Sequence, residues 1–319
     1  MSTDEQSVIA FDRPGAVRRP SPDPHRFRRA GVDGVELEYE VLGTGDPVVL
    51  IHAGVCADWF APLLEEPALR DAHQILSYHR AGYAGSERVQ GELSIARQAA
   101  QCAALMRHAG IGPAHVVGHS SSANMALQLA LDAPELVRSV SLLETALLAV
   151  PSGPYAGEAV GRYRAGDRAG AVDAWMRGVC GPNYREPLER AIPGAFDQAV
   201  ADLDTFLGQE LPALRDWPFT EQAAARVGRP ALAVLGARSD EVSPVFRRRH
   251  ELLLAWLPDV EGHVLPDANH LLHVQNPRGM AERLASFFAT AGDRPGVSGG
   301  AGSSGSPAGR RRLPTGRRG

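Results

Sequence analysis

The stretch Gly118-His119-Ser120-Ser121-Ser122 decides how the surrounding chain is expected to fold. A mostly apolar run, residues 114–117, precedes it, and a segment rich in alanine and leucine follows over about residues 123–133. Strand, sharp turn with a central serine, then helix is the order found in a nucleophile elbow, where a strained turn points the serine hydroxyl out of the sheet. Because strand and helix nearly touch at such a turn, small residues must flank the serine, and Gly118 meets that requirement.

The pentapeptide alone leaves two interpretations open. A serine-rich helix start that caps its own amide groups would contain the same residues. Catalysis needs more, because a serine hydroxyl is a poor nucleophile until a histidine takes its proton and a carboxylate fixes the tautomer of that histidine. On a fold with a nucleophile elbow, the chain order is serine, then acid, then histidine.

Two loops downstream supply the missing partners. Residues 230–235 predict a buried parallel strand, and the loop that follows contains Asp240. Residues 260–265 predict a last strand, and the loop that follows contains His270. The carboxyl ends of parallel strands meet at one edge of the sheet, where open α/β sheets keep their sites. We therefore expect Ser120 as nucleophile, Asp240 as acid and His270 as base.

Other residues compete for these roles. Glu241 is a neighbouring candidate for the acid, and Glu144, just past the strand after the elbow helix, is a third. His273 lies three residues after His270, where a helical turn would face it the same way. Cys56 is a rival nucleophile, although a small buried apolar residue is the simpler interpretation.

Two upstream segments complete a family pattern, Val48-Val-Leu-Ile-His52-Ala-Gly54 and His79-Arg-Ala-Gly82-Tyr-Ala-Gly-Ser86. These two segments, together with the elbow and the two later loops, make the chain resemble the α/β-hydrolase family over about residues 31–289. The resemblance implies an α/β fold, with a mostly parallel central sheet flanked by helices and an inserted helical cap. It also implies an oxyanion hole formed by the backbone N–H groups of Ser121 and of Gly54 or Val55.

The chain departs from the family pattern at several positions. Ala53 stands where the oxyanion turn of the family has glycine, and His79 stands where the family has aspartate. Ser122 and Ala123 replace the glycines that usually follow the nucleophile. The β-carbon of Ser122 is expected either to tighten the elbow or to lower activity.

The expected organisation has four parts. Residues 1–30 and 292–319 show no apolar periodicity and predict a flexible arm and a disordered tail. Residues 31–148 and 228–291 predict the hydrolase-like core. Residues 149–227 break the alternation of strand and helix with three helical patterns, and the resemblance implies that this segment is a cap over the site.

Residues beside the elbow and the oxyanion turn are the candidates for the substrate pocket. They are Trp59, Phe60 and His119, of which His119 is expected to shape the site rather than to take part in chemistry. Because aromatic and apolar side chains prevail here and in the cap, the expected partner is a small molecule with an apolar acyl group or ring.

Composition argues against several other classes of function. The 319 residues carry a net charge of −4, so no electrostatic feature indicates nucleic-acid binding. No His-Glu-x-x-His pattern and no glycine-rich phosphate loop in a suitable context occur, so neither a metal nor a cofactor is expected. Three scattered cysteines and the lack of a secretory signal predict a cytoplasmic location, and no run reaches the roughly 18 apolar residues of a membrane span.

The function expected from these residues is that of a serine hydrolase acting on an ester or a related acyl bond. Hydrolysis of carbon–carbon bonds, lactone opening and cofactor-free perhydrolysis remain open, since by family resemblance they use the same triad. The alternative of another class is a hydrolase-fold protein that binds a small ligand without turning it over.

Overall fold

The computed structural model describes residues 27–147, 150 and 153–291. Within them, eight strands form one sheet: β1 Arg28–Val32, β2 Val35–Leu42, β3 Asp46–Ile51, β4 His73–Tyr78, β5 Ala114–His119, β6 Val137–Leu143, β7 Ala231–Gly236 and β8 Val260–Leu265. The strand order is β1-β2-β4-β3-β5-β6-β7-β8. The β1–β2 and β2–β4 pairs are antiparallel and all other pairs are parallel, which confirms the predicted fold class.

From β3 onward in the described part of the chain, helices lie between consecutive strands, and a last helix follows β8. They are α1 Ala61–Leu64, α2 Pro67–Arg70, α3 Ile95–Ala109, α4 Ser121–Asp132, α5 Tyr155–Arg164, α6 Arg168–Cys180, α7 Arg185–Ala191, α8 Ala195–Ala201, α9 Leu211–Arg215, α10 Glu221–Ala224, α11 Val245–Trp256 and α12 Pro277–Ala291. A π-helix, Asp204–Glu210, lies between α8 and α9. Short 3₁₀ turns occupy Pro134–Leu136, Ser239–Glu241 and Leu272–Val274.

Side chains that alternate along the central strands bury both faces of the sheet. In β5, Val116 belongs to the apolar cluster that includes Leu105 of α3. The next residue, Val117, belongs to the cluster on the opposite face, with Leu284 and Phe287 of α12. Burying such a side chain fully contributes about 1.5–3 kcal/mol. The sheet is therefore rigid where its carboxyl edge carries the site.

The first strand changes the boundary expected for the N-terminal arm. Residues 28–30 were expected in the flexible arm but belong to β1, because Ala30 packs into the core. β1 pairs with the outer side of β2 and forms the edge of the sheet. The rest of the predicted arm and the whole predicted tail, residues 292–319, lie outside the described residues.

Six helices, α5 to α10, and the π-helix lie between β6 and β7, in the described part of the segment predicted as a cap. Most buried apolar residues of α5 to α8 and of the π-helix form one cluster with Val55 and Trp59, which follow β3. The helical segment thus packs on the loop that follows β3.

Among the described residues, no helix is long and apolar enough to cross a bilayer.

A buried ion pair joins this helical segment to the core. Arg80, just past β4, donates from both terminal nitrogens to the Glu210 carboxylate, and Nη2 lies 3.2 Å from Oε2. Both side chains are almost fully buried, at 1% and 3% exposure. Tyr83 donates its hydroxyl to Glu210 at 2.6 Å, and Arg80 Nε donates to the carbonyl of His52 at 3.0 Å. Glu210 therefore links the π-helix to the loops after β3 and β4.

The buried pair should contribute strongly to stability. Glu210→Leu leaves the Arg80 charge buried without its partner, which typically costs about 3–5 kcal/mol. We expect a fall of this size in the free energy of unfolding, measured by urea denaturation. The matched control is Glu186→Leu, which breaks the exposed pair of Glu186 with Arg190 and should cost under about 1 kcal/mol. Equal losses in the two variants would contradict a structural role for the buried pair.

Candidate active site

The serine turn between β5 and α4 has the geometry of an elbow. Ser120 adopts φ 55° and ψ −118°, a conformation that costs a non-glycine residue free energy and is held by its surroundings. A β-carbon on Gly118 would lie 2.5 Å from the carbonyl oxygen of Ser122 and 2.7 Å from the Cα of Ala123. Glycine is required at position 118 because the first turn of α4 packs directly on the end of β5.

Ser120, His270 and Glu144 form a continuous chain of hydrogen-bonding contacts. His270 Nε2 lies 3.2 Å from Ser120 Oγ, and His270 Nδ1 lies 2.6 Å from Glu144 Oε2. His270 and Glu144 are both buried, at 4% and 5% exposure. The loop after β8 brings His270 to the end of β5, as predicted from the strand order.

The Glu144 carboxylate is held on both oxygens. Oε2 faces His270, while Oε1 accepts the N–H of Gly236 at 2.7 Å and the hydroxyl of Ser239. Glu144 directly follows β6, and its own N–H donates to Val234 O of β7 at 3.0 Å. The carboxylate is therefore fixed in place by the neighbouring strand and its loop.

The structure corrects the predicted acid. Asp240 does not reach His270; its side chain is 39% exposed and pairs with Arg247 at 2.5 Å. In the 3₁₀ turn after β7, the preceding residue, Ser239, faces inward and bonds Glu144. Glu241, the other candidate in this loop, pairs with Arg238 at the surface. The remaining alternative, Glu144, occupies the position beside the histidine.

His273 and Cys56, the alternative candidates for the base and the nucleophile, are both buried in the core. His273 is fully buried, its Nε2 bonds the carbonyl oxygen of Trp59 at 2.8 Å, and burial lowers its pKa to about 4. Cys56 is buried too, and burial raises the pKa of its thiol well above the ordinary value. A thiolate is the reactive form of cysteine, so this environment disfavours Cys56 as a nucleophile.

Among the predicted oxyanion residues, one amide group is already bonded. The N–H of Gly54 donates to Ser121 Oγ at 3.1 Å, which removes Gly54 from the candidate donors. Val55, the next residue, has φ 77°. Within the described residues, the N–H groups of Val55 and Ser121 bond no acceptor. These two amides are the donors that the turn leaves available.

A small apolar cavity of about 40 Å³ lies next to Ser120. Trp59 and His119, two of the predicted pocket residues, line it, together with three aromatic side chains of the segment predicted as a cap, Tyr155, Trp175 and Phe206. Phe246 of α11, which the sequence did not indicate, lines it as well. Phe60, the third predicted pocket residue, does not line it. Its ring stacks on the His273 ring at a centroid distance of 4.8 Å, and it packs in the apolar cluster that contains Leu284 and Phe287 of α12. The Phe60 prediction is therefore wrong.

Comparison with known proteins identifies the family. The family model described as Alpha/beta hydrolase family matches residues 48–283, which is well over half of the chain. The chain belongs to the alpha/beta hydrolase family. Hydrolase activity is the general function that the family and its relatives support.

Relatives of this hydrolase are named for several different activities. A Mycobacterium tuberculosis protein, BpoC, whose name proposes a non-heme bromoperoxidase, is 26% identical over 275 residues, which are 80% of this chain and 98% of that protein. An Azorhizobium caulinodans protein, RutD, whose name proposes a carbamate hydrolase, is 38% identical over 109 residues. That match covers 34% of this chain and only 40% of the relative.

Solved structures share the fold of the hydrolase at low sequence identity. A thermophilic esterase from Thermogutta terrifontis has a TM-score of 0.68 and 20% identity, with 83% of this chain and 98% of that chain covered. The enol-lactonase from Burkholderia xenovorans LB400 has a TM-score of 0.69 and 19% identity, with 82% and 100% covered. Identities this low show the fold and leave the substrate open.

The His119 ring lines the cavity of this hydrolase beside Ser120. Its ring stacks on Trp59 at 5.0 Å and lies 4.7 Å from the ring of His270. Burial lowers the pKa of His119 well below its ordinary value, helped by the neighbouring His270 and His273. His119 is therefore neutral, and it packs against His270 without adding a charge. Among the described residues, no group of three or more His, Cys, Asp or Glu side chains could hold a metal ion.

His79, which stands where the family has aspartate, holds the loop that follows the oxyanion turn. Its Nδ1 lies 2.7 Å from Glu38 of β2, and its Nε2 lies 3.2 Å from Asp58. Burial opposes the charged form, but the hydrogen bonds to Asp58 and Glu38 outweigh it and raise the pKa of His79 to about 9. A charged His79 thus links β2 to the loop.

This cation should make the stability of the hydrolase depend on pH. The pKa of His79 is about 9 in the folded state and about 6.5 in an unfolded chain, so its stabilising effect is complete below pH 6.5. That effect is lost as the pH rises through 9. We expect a loss of about 2 kcal/mol between pH 6.5 and 10, less than the full shift implies because Asp58 is half exposed.

The measurement is the free energy of unfolding at several pH values for the wild type and for His79→Gln. The variant lacks the titrating group, so the part of the pH dependence that belongs to His79 should disappear. Identical slopes for both proteins between pH 6.5 and 10 would contradict the assignment of this cation.

Proposed function

We propose that this alpha/beta hydrolase is a serine hydrolase that cleaves an ester or a related acyl bond through an acyl-enzyme intermediate. The observation that carries the proposal is the chain of contacts from Ser120 through His270 to Glu144. A serine, a histidine and a buried carboxylate in this order are the groups that acyl transfer needs. A protein that only binds a ligand would have no use for this arrangement.

In the proposed reaction, His270 Nε2 takes the proton of Ser120 as its oxygen attacks the carbonyl carbon. Glu144 accepts the Nδ1–H of His270, which keeps Nε2 available as the base and stabilises the imidazolium that forms. The tetrahedral intermediate collapses, and the imidazolium gives its proton to the leaving alcohol. Water, deprotonated by His270, then attacks the acyl-enzyme, and the acid leaves as Ser120 regains its proton.

Negative charge develops on the carbonyl oxygen during both steps. The amides of Val55 and Ser121 are the proposed donors, since the Gly54 amide is bonded to Ser121 Oγ. Donors fixed before the reaction begins need no reorganisation as the charge forms, and removing one costs on the order of 3 kcal/mol.

The cavity supports a small, largely apolar substrate. Its aromatic walls favour an acyl group or ring without charge. An apolar chain buried there contributes about 0.8 kcal/mol for each CH₂ group. The proposed partner is thus a small uncharged ester or a related acyl compound.

The first test asks whether Ser120 is a nucleophile. The protein is treated with a small fluorophosphonate, which reacts efficiently only where nucleophile, base and oxyanion hole are assembled. We expect mass spectrometry to find one adduct on Ser120 in the wild type and none in Ser120→Ala. An unlabelled, folded wild type that also fails to hydrolyse p-nitrophenyl acetate would refute the proposed function.

The second test separates the two acids. Glu144→Gln keeps the shape of the side chain but removes the charge that sets the tautomer of His270, so kcat for p-nitrophenyl acetate should fall on the order of 10³–10⁴-fold. Asp240→Asn removes an exposed charge and should leave kcat within about twofold. The reverse pattern, with Asp240→Asn inactive and Glu144→Gln active, would sink the assignment of Glu144.

A further inference from the structure

We propose that Ser121 and Ser122 are positioning residues that tie the serine elbow to the oxyanion turn, residues 52–55. The inference rests on the proposed function, because the position of the turn matters to activity only if Ser120 is the nucleophile. It concerns two side chains at the positions after the nucleophile, one of which, Ser122, replaces a glycine expected from the family pattern.

The pairing of β3 with β5 ends just before the site. Its last register pair is Ile51 with Gly118, after which β3 enters the oxyanion turn and β5 enters the elbow. Ser122 Oγ continues the connection across this end. It accepts the N–H of His119 at 2.9 Å, and its own proton faces two carbonyl oxygens, that of Ile51 at 2.5 Å and that of His119 at 2.9 Å, of which Ile51 is the nearer.

Ser121 makes the second connection, further along the turn. Its Oγ accepts the N–H of Gly54 at 3.1 Å. The two neighbouring hydroxyls therefore bond the chain at both ends of the short segment 51–54, at Ile51, the last residue of β3, and at Gly54 in the oxyanion turn. Both serines are buried, Ser122 completely, so water does not compete for these bonds.

The bond at Gly54 lies directly before a strained residue. Val55 follows Gly54 at φ 77°, a value that is unfavourable for a β-branched side chain. Such a conformation persists only where the surroundings hold it. The Gly54 N–H belongs to the Ala53–Gly54 peptide group, one peptide before the Val55 amide. Its bond to Ser121 therefore holds the turn directly next to the amide proposed as oxyanion donor, by means of the side chain that follows the nucleophile.

A glycine at position 122 could not make this connection. It would remove the hydroxyl bonded to Ile51 and His119, and a buried backbone group left without a partner costs about 1–3 kcal/mol. The elbow could still form, because Gly118 already leaves room for the helix. The expected loss is therefore one of positioning, and a displacement of about 1 Å at an active site lowers rates by up to 10²-fold.

The experiment measures kcat and KM for p-nitrophenyl acetate in the full chain. Ser122→Gly, which installs the residue usual in the family, should lower kcat about tenfold while KM stays within about twofold. Ser121→Ala should do the same, whereas Ser121→Thr keeps the hydroxyl and should stay within about threefold of the wild type. The control is Ser141→Ala, a buried serine of β6 whose hydroxyl has no partner among the described residues.

The outcomes separate this inference from the proposed function. A wild type that labels at Ser120, with Ser122→Gly and Ser121→Ala retaining full kcat, overturns the positioning role alone. A loss in Ser121→Ala that Ser121→Thr does not restore also overturns it, because the hydroxyl would then not be the group that matters. If Ser122→Gly does not fold, the pair of Ser121 variants decides the question.

Discussion

The close approach of α4 to β5 at Gly118 is the constraint on which the rest of the site depends. Because the helix begins immediately after the strand, Ser120 is held at a positive φ and its hydroxyl reaches His270. The sheet holds the strained turn in place, since β5 is buried on both faces and paired with strands on both sides. The elbow is thus stabilised by the core of the domain and not by its own local sequence.

The acid reaches the histidine from a different strand than the one expected. Glu144 follows β6, and the loop after β7 contributes Ser239 and the Gly236 amide as its hydrogen-bond donors. Both loops end at the same edge of the sheet, so either could have carried the carboxylate. Which of them does so depends on a single position in a 3₁₀ turn, where the inward-facing residue is serine and the aspartate after it faces solvent.

Departures from the family pattern coincide with connections between loops. His79 stands in place of an aspartate and bridges Glu38 of β2 to Asp58 in the loop after β3. Ser122 stands in place of a glycine and bridges β3 to the elbow. Together with the pair of Arg80 and Glu210, these bonds attach the segment from Ile51 to Asp58 to the elbow and to the loop after β4. Polar bonds of which most are buried rigidify the segment that they connect.

The elbow with Ser120 and the position of His270 could be predicted from the sequence, because local patterns and chain order specify which residues follow the carboxyl ends of strands. Glu144 was also visible as an acid directly behind an apolar strand, a signal that it shared with the loop of Asp240 and Glu241. Tertiary contacts settled which of the three acids lies beside His270, that the Gly54 amide bonds Ser121, and that Phe60 packs away from the cavity. Each of these outcomes depends on the direction of a side chain and on contacts between distant segments, and the spacing of residues along the sequence specifies neither.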